Sequence, residues 1–338
     1  MKFRRSSIVL AGTAIALVAL AAGTRFFVVP QLTQLPANLD TTVRYEGVAT
    51  MLNSAAIASG DIANALATNV PTTMDRRGYA VSTHGGVAII ADEVTIQAGT
   101  TALPKATHYY AVDRSTLEAA QAIGDQEVEP ATGLAIGFPM TPRADDGYRF
   151  YDATTQTTTA VDFTGTGTSH GLAVNEYTFT VAGALKDKGL LAGLPPALPS
   201  SLVLSMSSIL PPALAQQLEQ NAATLPQALP LTYTASTTVD ISADQITGIA
   251  IEQRVKQQVV ANIELAGTVT PLMPVLALEM SLTSASQDDL AKDASSAGTT
   301  LLLIQTIAPL VLLGLGVLAL TVALLRRRPP ASSSASQL

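Results

Sequence analysis

The chain has 338 residues, of which 48% are hydrophobic and only 13% charged, and its mean hydropathy is +0.33. That is too apolar for an average soluble domain and points to membrane segments. A net charge of −7 argues against nucleic acid as a partner, and the lack of any cysteine excludes disulfides, thiolate metal sites and a cysteine nucleophile.

Residues 1–5 carry Lys2, Arg4 and Arg5 and lead into SSIVLAGTAIALVALAAGT at 6–24, which has no charge. About 20 apolar residues rising ~1.5 Å each cross a bilayer, so a transmembrane helix is expected over 6–28. Ala19-Leu20-Ala21 also offers a signal-peptide cleavage site. Apolar character resumes past Arg25 in FFVVP, which favours retention over cleavage. At the other end, 299–325 is again uncharged and reads as a second span, followed by Arg326, Arg327 and Arg328 in the tail 326–338. Both basic clusters lie on the outer flanks of the chain. The positive-inside tendency therefore expects a two-pass plasma-membrane protein with both termini cytoplasmic and 29–298 outside the cytoplasm. That exterior part holds 12 basic and 26 acidic residues, a net of −14, which disfavours bare anionic headgroups as its partners. Gly12, Ala16, Ala19 and Gly23 fall on one face of the first span, and Gly314 and Gly316 do much the same in the second; this fits close pairing of the two helices and equally fits ordinary Ala- and Gly-rich composition. Pro309 is expected to kink the second.

Between the spans the pattern predicts strands at 41–52, 85–97, 106–119, within 137–181, and at 231–242, 247–267 and 274–284, rich in Val, Ile, Thr and Tyr. A weak amphipathic helix is expected at 53–67, with Ile57, Ile62 and Leu66 on its apolar face. The fold class is thus α+β: one β-rich extracytoplasmic domain between two terminal transmembrane helices.

One stretch departs from that pattern. GLLAGLPPALPSSLVLSMSSILPPALAQQL at 189–218 carries no charge, yet Pro195, Pro196, Pro199, Pro211 and Pro212 break it too often for a third span. A short apolar helical hairpin within an insertion at 189–226 is expected instead, with one helix opening at Pro199-Ser200-Ser201 and a second after Pro211-Pro212. Leu190, Leu191, Leu194, Leu202, Val203, Leu204, Met206, Ile209, Leu210 and Leu214 are the candidate contacts for a hydrophobic ligand. The competing expectation is that the hairpin merely closes the core.

Catalytic and metal chemistry is poorly supplied. GTSHG at 167–171 fits G-x-S-x-G, but it lies between strand-like segments and no histidine follows His170, so the motif reads as a hairpin loop and not a nucleophile elbow. His84, His108 and His170 lack ligand spacing, and Asp145 with Asp146 falls short of a full calcium ligand set. No catalytic, cofactor-binding or metal-binding residue is assigned, no cofactor is expected, and the protein reads as a non-enzyme.

Taken in order, HYYAVDRSTLEA, GFPMTPRADDGYRFYDATTQTT, the NEYTFTV segment and VDISADQITGIAIEQR resemble an actinobacterial family of two-span envelope proteins known as the porin PorA family. The resemblance covers nearly the whole chain, except that 189–229 is longer and more apolar. It implies an envelope protein, yet helical spans and short Thr-rich strands do not suit a conventional β-barrel porin. The topology alone is also similar to class B scavenger receptors, which move lipids through an ectodomain tunnel. Two functions follow as expectations. The first is a non-enzymatic membrane protein that binds or conducts lipids or other hydrophobic molecules. The second is a structural or partner-binding envelope protein without a tunnel.

Overall fold

The computed structural model describes residues 5–265 and 267–325 and falls into two compact units. One is helical and comes from the two chain ends; the other, Leu35–Ala294, is β-rich. The expected cytoplasmic tail 326–338 and most of 1–5 lie outside the described residues.

The chain opens with α1 (Arg5–Gly23), which widens into a π turn (Thr24–Val28) and continues as α2 (Val29–Leu32). The β-rich unit then builds one ten-stranded antiparallel sheet. Its strands are β1 (Asp40–Leu52), β2 (Leu66–His84), β3 (Val87–Ala98), β4 (Thr101–Ala102) and β5 (Ala106–Asp113), followed after a long connection by the small hairpin β6 (Arg149–Asp152) and β7 (Thr157–Ala160). The chain returns to the large sheet with β8 (Asp162–Ser169) and β9 (Leu172–Ala184), makes the short pair β10 (Ala197–Pro199) and β11 (Ala228–Pro230), and finishes it with β12 (Thr232–Asp244), β13 (Ala250–Leu265) and β14 (Thr268–Leu282). Spatial order is β4-β3-β2-β1-β14-β13-β12-β9-β8, with β5 also paired to β3. First and last strands thus meet at the centre, where Tyr45 stands opposite Leu282.

Period-two alternation fixes which face is covered. In β12 the side chains of Tyr233, Ala235, Val239, Ile241 and Ala243 are buried, while Thr232, Thr234 and Asp240 between them are exposed. Covered residues of β1, β13 and β14 meet the helices of 188–221 in the largest core cluster. Those of β9 and β12 pack an aromatic group that includes Phe138, Tyr148 and Tyr177, where the Phe138 and Tyr177 rings stack 4.3 Å apart.

Three expectations need correcting. The helix expected at 53–67 shrinks to α3 (Ser54–Ser59) and a 3₁₀ turn (Ile62–Asn64), because Gly60 takes a left-handed φ of 77° and ends it. The nineteen-residue β2 was not expected at all, because Pro71 and the charges at Asp75, Arg76 and Arg77 mask its alternation. Only the first part of 106–119 is a strand: after Asp113 the carboxylate Oδ1 accepts the amides of Ser115 and Thr116 and turns the chain.

Residues 188–221 hold three short helices, α4 (Lys188–Ala192), α5 (Ser200–Ser205) and α6 (Pro212–Asn221), with a 3₁₀ turn (Ser207–Ile209) after the second. The expected hairpin is therefore present as α5 and α6, and Pro212 occupies the first helical turn as expected. The helix α4 was not foreseen.

After β14 the chain forms α7 (Ser284–Leu302), a second π turn (Leu303–Ile307) and α8 (Ala308–Leu325). Helix thus begins well before the span expected at 299. Within the β-rich unit Ala291 and Ala294 of α7 pack on Val174 and Ile251.

Two described helical stretches, Gly12–Leu32 and Ser284–Leu325, are long and apolar enough to cross a membrane. In the helical unit their contact face differs from the one expected. Gly12, Ala16 and Ala19 are exposed, and Ala14 and Ala21 are buried instead, facing an α8 seam of Pro309, Gly316 and Ala323. The seam repeats every seven residues, and a Cβ on Gly316 would stand 3.4 Å from the Ala14 carbonyl oxygen. Gly314 is exposed. The π turn just ahead of Pro309 widens the helix where the proline removes a backbone donor.

Candidate ligand cavity

A cavity of about 720 Å³ lies between the covered face of the sheet and the 188–206 segment. Its floor is Val259 and Ala261 of β13 and Leu272, Met273, Val275 and Leu276 of β14. Met51, Leu52 and Ile57 close one flank, and 101–104 closes another. Gly189, Leu190, Leu194, Leu202 and Met206 form the wall opposite the floor. Among the described residues Thr101 is the one on the lining with a polar side chain, and none is charged. The volume falls in the range of small-molecule sites, ~300–1,000 Å³. A space so lined offers a guest mainly hydrocarbon contact.

The structure divides the ten candidate contacts. Leu190, Leu194, Leu202 and Met206 line the cavity while also packing in or against the main core cluster. Val203, Leu210 and Leu214 are buried in the main core cluster, with Leu204 packed against it. Leu191 and Ile209 are exposed, at 36% and 40%. Most of the floor was not among the candidates, because inward residues of a strand carry the same apolar signal whether they meet a core or a cavity.

The wall ends in a charged cluster. Asp187 precedes α4 and accepts the Leu190 amide on Oδ1 at 2.8 Å, while its Oδ2 lies 3.2 Å from His108 Nε2. The other ring nitrogen, Nδ1, is 2.9 Å from Glu129 Oε1, and the Tyr151 hydroxyl donates to Glu129 Oε2 at 2.9 Å. Burial alone would lower the His108 pKa, but the bonds to Asp187 and Glu129 outweigh it and push it up to about 9. Burial also pushes the Asp187 carboxyl up, and the His108 bond and the Leu190 amide more than reverse that, leaving it below the usual aspartate value. The cluster is therefore an imidazolium held between two carboxylates.

The sequence matches the family described as Porin PorA over residues 6–325. The chain belongs to the Porin PorA family. The match indicates no enzymatic family. No curated protein matches the chain. Two solved structures resemble this PorA-family chain weakly. One is the full-length peroxisomal multifunctional enzyme type 2 from Drosophila melanogaster, 12% identical, with 76% of this chain and 40% of that one covered and a TM-score of 0.15. The other is a conserved protein of unknown function with a hot dog fold from Alicyclobacillus acidocaldarius, 11% identical, covering 75% and 83%, with a TM-score of 0.12. The PorA-family chain spans less than half of the first, and scores this low carry no argument about fold or function.

Other motifs of this PorA-family chain serve local structure. Ser169 ends β8, and His170 and Gly171 form the two-residue turn into β9, both with left-handed φ (48° and 79°). The G-x-S-x-G match is thus a β-hairpin loop. The Ser169 hydroxyl donates to Glu252 at 2.6 Å, and His170 Nδ1 lies 3.0 Å from Asp288. Asp145 accepts the Gly147 amide within the turn and Asp146 accepts the Phe163 amide of β8, so each spends an oxygen on the backbone.

Proposed function

We propose that this PorA-family protein is a two-pass envelope membrane protein that holds hydrophobic molecules in the 720 Å³ cavity of its extracytoplasmic unit, and passes them on. One observation carries the reading: a cavity of that size on whose lining, among the described residues, Thr101 is the single polar side chain. Each methylene moved from water into such a space gains about 0.8 kcal/mol, so an alkyl or acyl chain is favoured over any polar guest. Two apolar helices supply the membrane attachment that a lipid-handling protein needs.

A barrel pore is a poorer account. The sheet path ends at β8, which pairs with β9, and at β4, which pairs with β3, so among the described strands it does not close on itself. Its uncovered face carries Arg44, Lys256 and Glu279 in ion pairs at about half exposure, where a lipid-facing barrel would need an apolar band. The structural or partner-binding alternative draws support from Val203, Leu210 and Leu214, which pack in the core as a plain lid would.

The test is to purify the full chain from its membrane and to identify co-purified hydrophobic molecules by native mass spectrometry. Ala261→Phe fills the cavity from its floor. The bound species should be present in the wild type and lost in a folded Ala261→Phe protein. Equal content in both, or none in either, overturns the reading.

A further inference from the structure

The wall of the cavity is held in an unusual way. Helix α4 has no fully buried residue, and Leu191, Ala192 and Gly193 are exposed; only Leu190 and Leu194 pack, half-buried, against the main core, so apolar burial holds 188–195 weakly. Polar clasps at its two ends do that work. At the start, Asp187 is 6% exposed and meets His108, at 16%, which meets Glu129 in turn. The carbonyl oxygen of Thr154, in the β6–β7 turn, accepts the Lys186 and Asp187 amides at 2.9 and 3.1 Å. At the far end the Tyr233 hydroxyl donates to the Pro195 carbonyl at 2.5 Å, and the Leu231 amide to that of Pro196 at 2.9 Å. Between these fixed points the segment forms one wall of the cavity with Gly189, Leu190, Ala192 and Leu194.

We propose that residues 188–195 are a gate over the apolar cavity, and that the Glu129–His108–Asp187 clasp keeps it shut. The gate rests on the reading that the cavity takes hydrophobic guests. Its logic is energetic. A segment that buries little opens at the cost of its polar anchors, and hydrogen bonds to charged groups contribute about 1.5–3 kcal/mol each. His108 is therefore a positioning residue: it touches no guest, and it sets how often the wall moves. Asp187 plays two parts that can be separated, because asparagine keeps the cap on the Leu190 amide while removing the charge that faces His108.

The chain has no cysteine, so one introduced thiol reports cleanly. Met206→Cys places it on the cavity wall at a residue 1% exposed, and Val239→Cys places a control in the second core cluster, away from the cavity. The full chain in phosphatidylcholine nanodiscs is alkylated with N-ethylmaleimide at pH 7.5. Adding Asp187→Asn or His108→Gln should speed labelling at position 206 about ten-fold or more, which corresponds to about 1.4 kcal/mol of lost closure, and leave position 239 slow. Tyr233→Phe should speed position 206 as well, through the second clasp.

Three results would overturn the gate: rates unchanged in Asp187→Asn, acceleration only in Asp187→Ala (which would make the residue a helix cap alone), or equal acceleration at 206 and 239. Occupancy is read separately, by protection of the position 206 thiol with 1-hexadecanol. Protection with unchanged rates sinks the gate alone. Acceleration without protection sinks the occupancy reading and leaves the clasp standing.

Discussion

Arg76 holds Asp92 through two hydrogen bonds, Nε to Oδ1 and Nη2 to Oδ2, each 2.8 Å long. The pair joins β2 to β3 close to buried Tyr45, and Asp92 is itself buried. A paired guanidinium and carboxylate of this geometry is the strong form of the interaction, and removing one partner strands the other charge at a cost of about 3–5 kcal/mol. Arg76 keeps 29% exposure, so the lower end applies. Asp92→Ala should therefore lose about 3 kcal/mol in urea unfolding followed by tyrosine fluorescence. Replacing both, as Arg76→Met with Asp92→Leu, should cost clearly less. If the single substitution cost no more than the double, the pair would not be the source of the stability.

At the centre of the sheet β1 and β14 come unusually close. A Cβ on Gly47 would stand 1.9 Å from the Glu279 carbonyl oxygen, and a backbone atom in a paired strand has no rotamer by which to move aside. Gly47→Ala must part the strands or bend one of them. The expected loss is about 3 kcal/mol or more, at the upper end of overpacking costs. For a unit of this size that is a fall of roughly 6–12 °C in Tm, and a shift under about 2 °C would mean that the strands yield easily.

His108 gives stability a definite pH dependence. Its folded pKa of about 9 lies above the ordinary value of 6.5, so its contribution is complete below pH 6.5 and is lost as pH rises through 9. The shift corresponds to about 3 kcal/mol. Asp187 has the opposite sign: its lowered pKa adds stability above the ordinary aspartate value, which is lost as pH falls through the folded one. Wild-type protein should thus lose stability from pH 7 to 9.5 on a slope that His108→Gln lacks. Parallel curves for the two proteins over that window would remove the imidazolium from the account.

How much of this could be read in the sequence depends on where each residue finds its partner. Strands such as β12 announce themselves because Tyr233, Ala235, Val239 and Ile241 face inward between Thr and Asp. Strand β2 does not, because its charges are satisfied across strands, Arg44 with Asp75, Arg76 with Asp92 and Arg77 with Asp40. The same gap hid His108. Nothing near it in sequence is a ligand or counter-ion, and its two carboxylates arrive from the loop before β6 and from the end of β9. The apolar character of 189–218 was plain, but its division into cavity wall and core was not. Val203 and Met206 carry equal hydrophobic signals and share one core cluster, and only the packing opposite decides that Met206 also lines the cavity.

The helical unit offers a last expectation. Its seam brings Gly316 against Ala14 and the neighbouring Leu17 and Val18, at 3.4–3.7 Å from where a Cβ would be. Lipid is as apolar as leucine, so such a pair is held by close packing and not by escape from water. A larger residue removes that closeness and leaves everything else intact. Ala14→Cys and Ala323→Cys flank the position in separate cysteine pairings with the opposite helix, and oxidative crosslinking of the cysteine-free chain reads the spacing directly. Gly316→Leu should reduce crosslinking several-fold while leaving urea unfolding of the β-rich unit unchanged, a helix–helix loss of about 1–2 kcal/mol. Crosslinking as efficient as in the parent would show that the helices tolerate a wide separation, and the small-residue seam would lose its role.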